Sequence, residues 1–240
     1  MNEQDWKCRT ELLVTKEGIE KLKKSHVLIV GVGGVGGATA EQICRAGVGK
    51  LTIVDNDTIH HSNINRQIIA LTNTVGQNKC DALENRLKLI NPEVEIEKHS
   101  VFIEGDIAKE LVSKPYDFIV DAIDTLTPKV DLLEACVLGN KQVVSSMGSG
   151  ARLDPSQVAI ADIEKTHHCK LAYLVRKYLH RRGIRNGITA VFSTEEVPQH
   201  ALIETDGSNN KRTVVGTMSY MPAIFGAFCA SVVIRSILSQ

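Results

Sequence analysis

Residues 26–30 form a short apolar run rich in β-branched side chains, ending directly in Gly31-Val32-Gly33-Gly34-Val35-Gly36-Gly37. This pattern predicts a strand that runs into a glycine loop. Ala38, Ala40, Ile43 and Ala46 then repeat at helical spacing, Gly47 and Gly49 close that stretch, and residues 51–55 read as the next strand. The result is a βαβ unit, which winds into a parallel sheet because the right-handed crossover lays its helix on one face. The alternation continues: a helix over 76–90 stopped by Asn91-Pro92, an extended segment over 94–103, a buried strand over 117–123, a helix over 128–138 and a strand over 141–147. Beyond Gly148 the texture changes to strands over 151–163 and 187–193 that need not be parallel, bracketing an amphipathic helix near 170–182. The fold class is α/β: a Rossmann-like, mainly parallel sheet with a glycine-rich phosphate loop and a C-terminal mixed β/α elaboration.

Residues 214–234 carry no formal charge. Gly216, Ser219, Pro222, Gly226 and Ser231 interrupt them, leaving an apolar helix over 223–238, shorter than the ~20 residues a membrane span needs. A core or subunit-interface helix is expected, with peripheral membrane contact as the minority alternative and no stable insertion. Composition agrees with a packed soluble domain: 240 residues, 43% hydrophobic, 23% charged, and 28 basic against 28 acidic residues for a net charge of +0. The six cysteines are scattered without a Cys-x-x-Cys pair, so no zinc is expected, and free thiols fit a reducing cytoplasm. The charged N-terminal residues 1–9 have no apolar run that could act as a secretory signal.

Gly31, Gly33, Gly34 and Gly36 let a backbone approach a phosphate closely, at the positive end of the following helix. Asp55 ends the next strand about 20 residues later, where an acid can accept hydrogen bonds from a ribose. Loop and acid alone suit an NAD enzyme as well as an ATP enzyme. ATP is favoured by four further groups of residues: Asp55-Asn56-Asp57, Asn63-Ile64-Asn65-Arg66-Gln67, Lys79, and Asp121-Ala122-Ile123-Asp124. Activating a carboxylate with ATP calls for cations at the α-phosphate and the leaving pyrophosphate and an oxygen ligand for Mg2+, and Arg66, Lys79 and Asp124 are of those types.

With these motifs the chain resembles the ubiquitin-activating-enzyme-like adenylyltransferases of the ThiF and MoeB type. Segments 147–155, 192–195 and 216–222 resemble the branch that dehydrates threonylcarbamoyladenosine in tRNA. The resemblance implies ATP and Mg2+ as cofactors, Gly31, Gly33, Gly34 and Gly36 beside the nucleotide, and Asp55 on the ribose. It implies Asp57, Asn65 and Arg66 around the phosphates, Lys79 near ribose and α-phosphate, and Asp124 on the metal. Arg9 in Cys8-Arg9-Thr10 would reach the γ-phosphate of a neighbouring subunit, which implies a homodimer, although a solvated terminal charge is the plain alternative. Gly37 replaces the usual serine, and Asn56 an apolar residue. One domain over 1–240 is expected, its nucleotide-binding core over 1–150 and its substrate-binding and dimerisation elaboration over 151–240.

A ubiquitin-like activator often stores its acyl group on an exposed cysteine, and none stands in an obvious transfer position here. That favours tRNA as substrate; activation of the Gly-Gly end of a sulfur-carrier protein, with a sulfur-relay partner, is the alternative, and a non-catalytic or NAD-binding protein a second. Lys170, Arg176, Lys177, Arg181 and Arg182 dominate the polar face of the helix near 170–182 and are candidates for RNA binding, against an ordinary solvated face.

Overall fold

The structure is a computed structural model that describes residues 5–204 and 213–240. In chain order its elements are α1 (Cys8–Lys24), β1 (His26–Val30), α2 (Gly34–Arg45), β2 (Lys50–Val54), α3 (Lys79–Ile90), β3 (Glu95–His99), α4 (Gly105–Ser113), β4 (Phe118–Asp121), α5 (Leu126–Leu138) and β5 (Val143–Ser146). They are followed by β6 (Val158–Asp162), α6 (Lys170–Arg181), β7 (Thr189–Ser193), β8 (Leu202–Glu204), β9 (Thr213–Val215) and α7 (Tyr220–Leu238). Seven strands make one sheet in the order β3-β2-β1-β4-β5-β7-β6, parallel except for β6, which runs antiparallel to β7. β8 and β9 pair separately as an antiparallel ribbon.

The strand order reverses direction between β1 and β4, so a crevice opens at their carboxyl ends, the position where doubly wound sheets bind ligands. Side chains of β1 alternate between the two layers as the pleat dictates. Val27 and Ile29 face a core with α2, α3 and α7, while Leu28 and Val30 face one with α4, α5 and α6. α7 lies along α2, and a Cβ at Gly226 would stand 2.7 Å from Ala38 Cβ and 2.8 Å from the Val35 carbonyl oxygen, so glycine sets how closely the two axes approach. The apolar α7 is thus a core helix whose length would allow a span but whose residues are half buried inside the fold.

Several elements differ from expectation for local reasons. α3 begins at Lys79 rather than Gly76, because Gly76 is left-handed and the Asn78 side chain caps the helix by accepting from Cys80 N at 2.8 Å. The stretch expected as strand over 151–163 is a strand only from Val158. Ala151 takes a left-handed φ of 56°, and Asp154 caps a short 3-10 turn over Pro155–Gln157. α7 starts at Tyr220, a turn earlier than expected, since Pro222 sits in its first turn where the missing N–H has no helical partner to lose. α1 and α4 are helices beyond those the pattern predicts: each buries only a narrow stripe, such as Gly18, Ile19 and Leu22 in α1.

Candidate active site

The glycine loop is shaped by close backbone contacts. Gly31 adopts φ +85°, and a Cβ on Gly36 would stand 1.8 Å from the Gly31 carbonyl oxygen, so neither position admits a side chain. The first helical bond of α2 runs from Gly37 N to Gly33 O at 2.9 Å, which leaves the N–H groups of Gly34, Val35 and Gly36 ahead of it, at the positive end of the helix. Gly36→Ala is expected to lose about 1–3 kcal/mol of stability through overpacking and to weaken ATP binding, both readable from melting curves with and without ATP.

Asp55 straps this loop to the end of β2. One carboxylate oxygen accepts from Val32 N at 2.8 Å and the other from Asp57 N at 2.9 Å. Burial pushes the Asp55 carboxyl up, against the pull of Lys79 and the two backbone donors. Lys79, the first residue of α3 and itself buried, places Nζ 2.6 Å from Asp57 Oδ2 and 3.8 Å from Asp55 Oδ1. Its charge is therefore already beside the end of β2, held by an acid that is itself half exposed.

The turn over 62–67 is fixed by its own side chains: Arg66 Nη1 donates to the Ser62 carbonyl at 2.8 Å and to Asn65 Oδ1 at 2.9 Å, and Asn65 Nδ2 donates to the Thr217 carbonyl at 3.0 Å. A Cβ at Gly34 would meet the Arg66 carbonyl oxygen at 3.3 Å and Pro222 Cβ at 2.8 Å, so this turn and the start of α7 both lie against the first turn of α2. Buried Gln67, whose Oε1 has no hydrogen-bond partner, stands beside Gly33. The turn over 121–124 presses on the loop from the other side, with the Ala122 carbonyl oxygen 2.7 Å from where a Gly31 Cβ would be, and carries exposed Asp124.

Beneath that turn lies a feature sequence reasoning missed. Lys129 Nζ and Ser145 Oγ each donate to Asp121 Oδ2 at 2.5 Å, Ile123 N donates to Oδ1 at 3.1 Å, and Lys129 and Asp121 are wholly inaccessible to solvent. A lysine in the first turn of α5, eight residues after an acid at a strand end, is the signal that could have revealed it.

Arg9 is exposed in the first turn of α1 and, among the described residues, bonds to none of the side chains around the loop. On α6, Lys170, Lys177 and Arg181 are exposed, Arg181 lying over the Tyr178 ring. The other two cations are engaged internally: Arg182 pairs with Asp131 and Glu134, and Arg176 donates to the Thr166 carbonyl and hydroxyl. Cys44, Cys80, Cys136, Cys169 and Cys229 are buried and Cys8 is half-buried. Burial pushes Cys44 up to about 11 and Cys80 and Cys229 up to about 12, so these thiols stay protonated and are poor acyl acceptors.

A doubly wound sheet with a glycine loop at its switch point, an acid at the end of β2 and cations set around the loop defines a nucleotide-binding α/β protein. The profile of the ThiF family matches residues 8–240. The chain belongs to the ThiF family. It is 41% identical over 187 residues to a tRNA threonylcarbamoyladenosine dehydratase of Bacillus subtilis, covering 78% of this chain and 74% of that one. It is 33% identical over 238 residues to a dehydratase of the same name from Haemophilus influenzae, covering 95% and 91%. The crystal structure of the Escherichia coli tRNA N6-threonylcarbamoyladenosine dehydratase in complex with ATP superposes with a TM-score of 0.87 at 29% identity, covering 96% of this chain and 93% of that chain.

Proposed function

We propose that the protein is an ATP-dependent tRNA threonylcarbamoyladenosine dehydratase. The observation that carries this reading is the likeness to such dehydratases over nearly the full length of both chains, combined with a phosphate loop flanked by Arg66, Lys79 and Asp124. In the reaction a threonyl carboxylate oxygen attacks the α-phosphorus of ATP and pyrophosphate leaves. The carbamoyl group of the same nucleoside then attacks the acyl carbon and AMP leaves. This second step is intramolecular, so positioning does most of the work and no enzyme thiol is required.

Each residue has a role in that scheme. The N–H groups of Gly34, Val35 and Gly36 receive phosphate oxygens, and Asp55, with its lone pairs partly used by backbone donors, holds the loop against the ribose. Lys79 exchanges Asp57 for the α-phosphate, and Arg66 faces the charge that develops as pyrophosphate departs. Among the described residues no cluster of three His, Cys, Asp or Glu could hold a metal unaided. Mg2+ commonly takes one or two carboxylates and completes its shell with phosphate oxygens and water, so the Asp124 carboxylate beside the loop fits it. When bound there, Mg2+ would neutralise phosphate oxygens. Arg9 is assigned to the triphosphate of a second copy, making the working unit a homodimer, and the free thiols support a cytoplasmic enzyme.

Incubation with ATP and either threonylcarbamoylated tRNA or tRNA lacking that group tests the reading. AMP release is expected only with the former; equal release from both would remove the tRNA assignment, and release dependent on a small Gly-Gly protein would replace it with carrier activation. Asp124→Ala is expected to cut AMP formation by about 10²-fold or more, with the Mg2+ requirement of the residual activity raised. A simple dinucleotide binder would keep its nucleotide affinity in that variant.

A further inference from the structure

Arg152 is 2% exposed, one of the largest buried side chains in the protein. Its Nη2 donates to the His168 carbonyl at 2.7 Å, but Nε and Nη1 have no hydrogen-bond partner. Among the described residues no acid bonds to it. Glu195, which binds the two residues that come next in the chain, spends both oxygens on Leu153 N and Asp154 N. A guanidinium withdrawn from water with two donors idle is costly to keep and calls for an explanation.

The guanidinium sits where α6 begins. Its anchor, His168, precedes Cys169, which opens this 12-residue helix without a side-chain capping bond. The first helical bond is Tyr173 N to Cys169 O at 3.0 Å, so the N–H groups of Lys170, Leu171 and Ala172 lie ahead of it. Gly148 backs the same spot, since a Cβ there would be 3.7 Å from Cys169 Sγ. Arg152, the positive end of α6 and exposed Lys170 thus gather at one place. The acid that approaches it is Glu196, an exposed side chain 3.8 Å from His168 Nδ1.

That place is tied to the nucleotide site. Ala151 N donates to the Gly216 carbonyl at 2.7 Å, and the next carbonyl, Thr217, accepts from Asn65, the neighbour of Arg66. Ala151, next to Arg152 in the chain, has φ 56° and His168, whose carbonyl accepts from the guanidinium, has φ 52°, both non-glycine residues in the left-handed region, a conformation kept at a cost.

We propose that Arg152 and the first turn of α6 form a binding site for a backbone phosphate of the tRNA substrate, exposed when the 151 and 168 loops part. The site leads onto Lys170, Lys177 and Arg181 of α6. This rests on the tRNA reading of the active site and deepens it. A phosphodiester is the anion that fits, because it keeps its charge throughout the reaction. The threonyl carboxylate loses its charge on adenylation and would be a poorer nucleophile if clamped by a guanidinium. Arg152 therefore contributes to binding rather than to the chemical step.

The test compares wild type with Arg152→Met, which keeps the apolar stem, and Arg152→Lys, which keeps the charge. The measurements are tRNA affinity across a salt series, KM and kcat for tRNA, ATP affinity, and the melting temperature of the tRNA-free protein. Arg152→Met is expected to weaken tRNA binding about ten- to hundredfold and to flatten the log–log salt slope by about 1. Its KM rises while kcat at saturating tRNA and ATP affinity hold, and its melting temperature is unchanged or higher because an unpaired buried charge is gone. Arg152→Lys restores the salt slope. Wild-type salt slope and affinity together with a lowered melting temperature in Arg152→Met, or a fall in kcat at constant KM, would overturn the site while leaving the tRNA reading intact. Should Arg152→Met fail to fold, Arg152→Gln carries the same comparison. Wild-type protein that neither binds tRNA nor releases AMP with it would remove both.

Discussion

Lys129→Met is expected to lower stability by about 3–5 kcal/mol, a fall in Tm of roughly 6–20 °C for a chain of this size. The variant leaves the Asp121 carboxylate wholly buried, with only Ser145 Oγ and Ile123 N to solvate it. Coupling Lys129→Met to Asp121→Leu removes the stranded charge and is expected to recover part of the loss, not all, because Ile123 N and Ser145 Oγ then lose their acceptor. The same variants report on the site. Asp121 starts the turn that packs on Gly31 and ends at Asp124, so the fraction of Lys129→Met that folds is expected to bind ATP less tightly. Calorimetric unfolding and an ATP titration check both; a Tm within a degree or two of wild type would show that the pair does not bear on stability.

Arg66→Ala is expected to reduce AMP formation by about 10²–10³-fold, with ATP affinity falling much less. The guanidinium is held before any ligand arrives, by the Ser62 carbonyl and Asn65 Oδ1, and a cation that need not reorganise is what stabilises charge developing on a leaving pyrophosphate. Arg66→Lys keeps the charge but not the planar guanidinium, whose Nη1 makes both bonds and leaves its other donors for the phosphates, so an intermediate loss is expected. Single-turnover measurement of pyrophosphate release separates this from product release. A drop in ATP affinity equal to the drop in turnover would make Arg66 a ground-state binding group instead.

Much of the fold and the site is legible in the chain as written. The apolar run at 26–30 is β1 and that at 117–123 holds the buried strand Phe118–Asp121, and the glycines after the first of them form the loop the spacing implied. Lys79 Nζ lies 3.8 Å from Asp55 Oδ1 at the end of β2. Asp55, Asp57 and Asp124 come just after strand ends and Lys79 opens a helix, whereas Arg66 lies in a turn. The five cations near 170–182 are the opposite case. Their helical spacing predicts one polar face, yet Arg182 is spent on Asp131 and Glu134 from another helix and Arg176 on Thr166, leaving Lys170, Lys177 and Arg181 open.

The sequence by itself determined the βαβ core, the parallel architecture and the position of the phosphate loop, because these follow from side-chain period and from where glycine is needed. Only the tertiary structure decided which charges are buried and who neutralises them. Lys129 sits dry against Asp121, Arg152 sits dry with two donors idle, and Lys79 lies between two aspartates. Burial and pairing depend on residues brought together from 22 or 51 positions apart, as with Lys79 and Asp57 or Arg182 and Asp131. The cost of taking a charge out of water is set by that assembled surrounding and not by the neighbours along the chain.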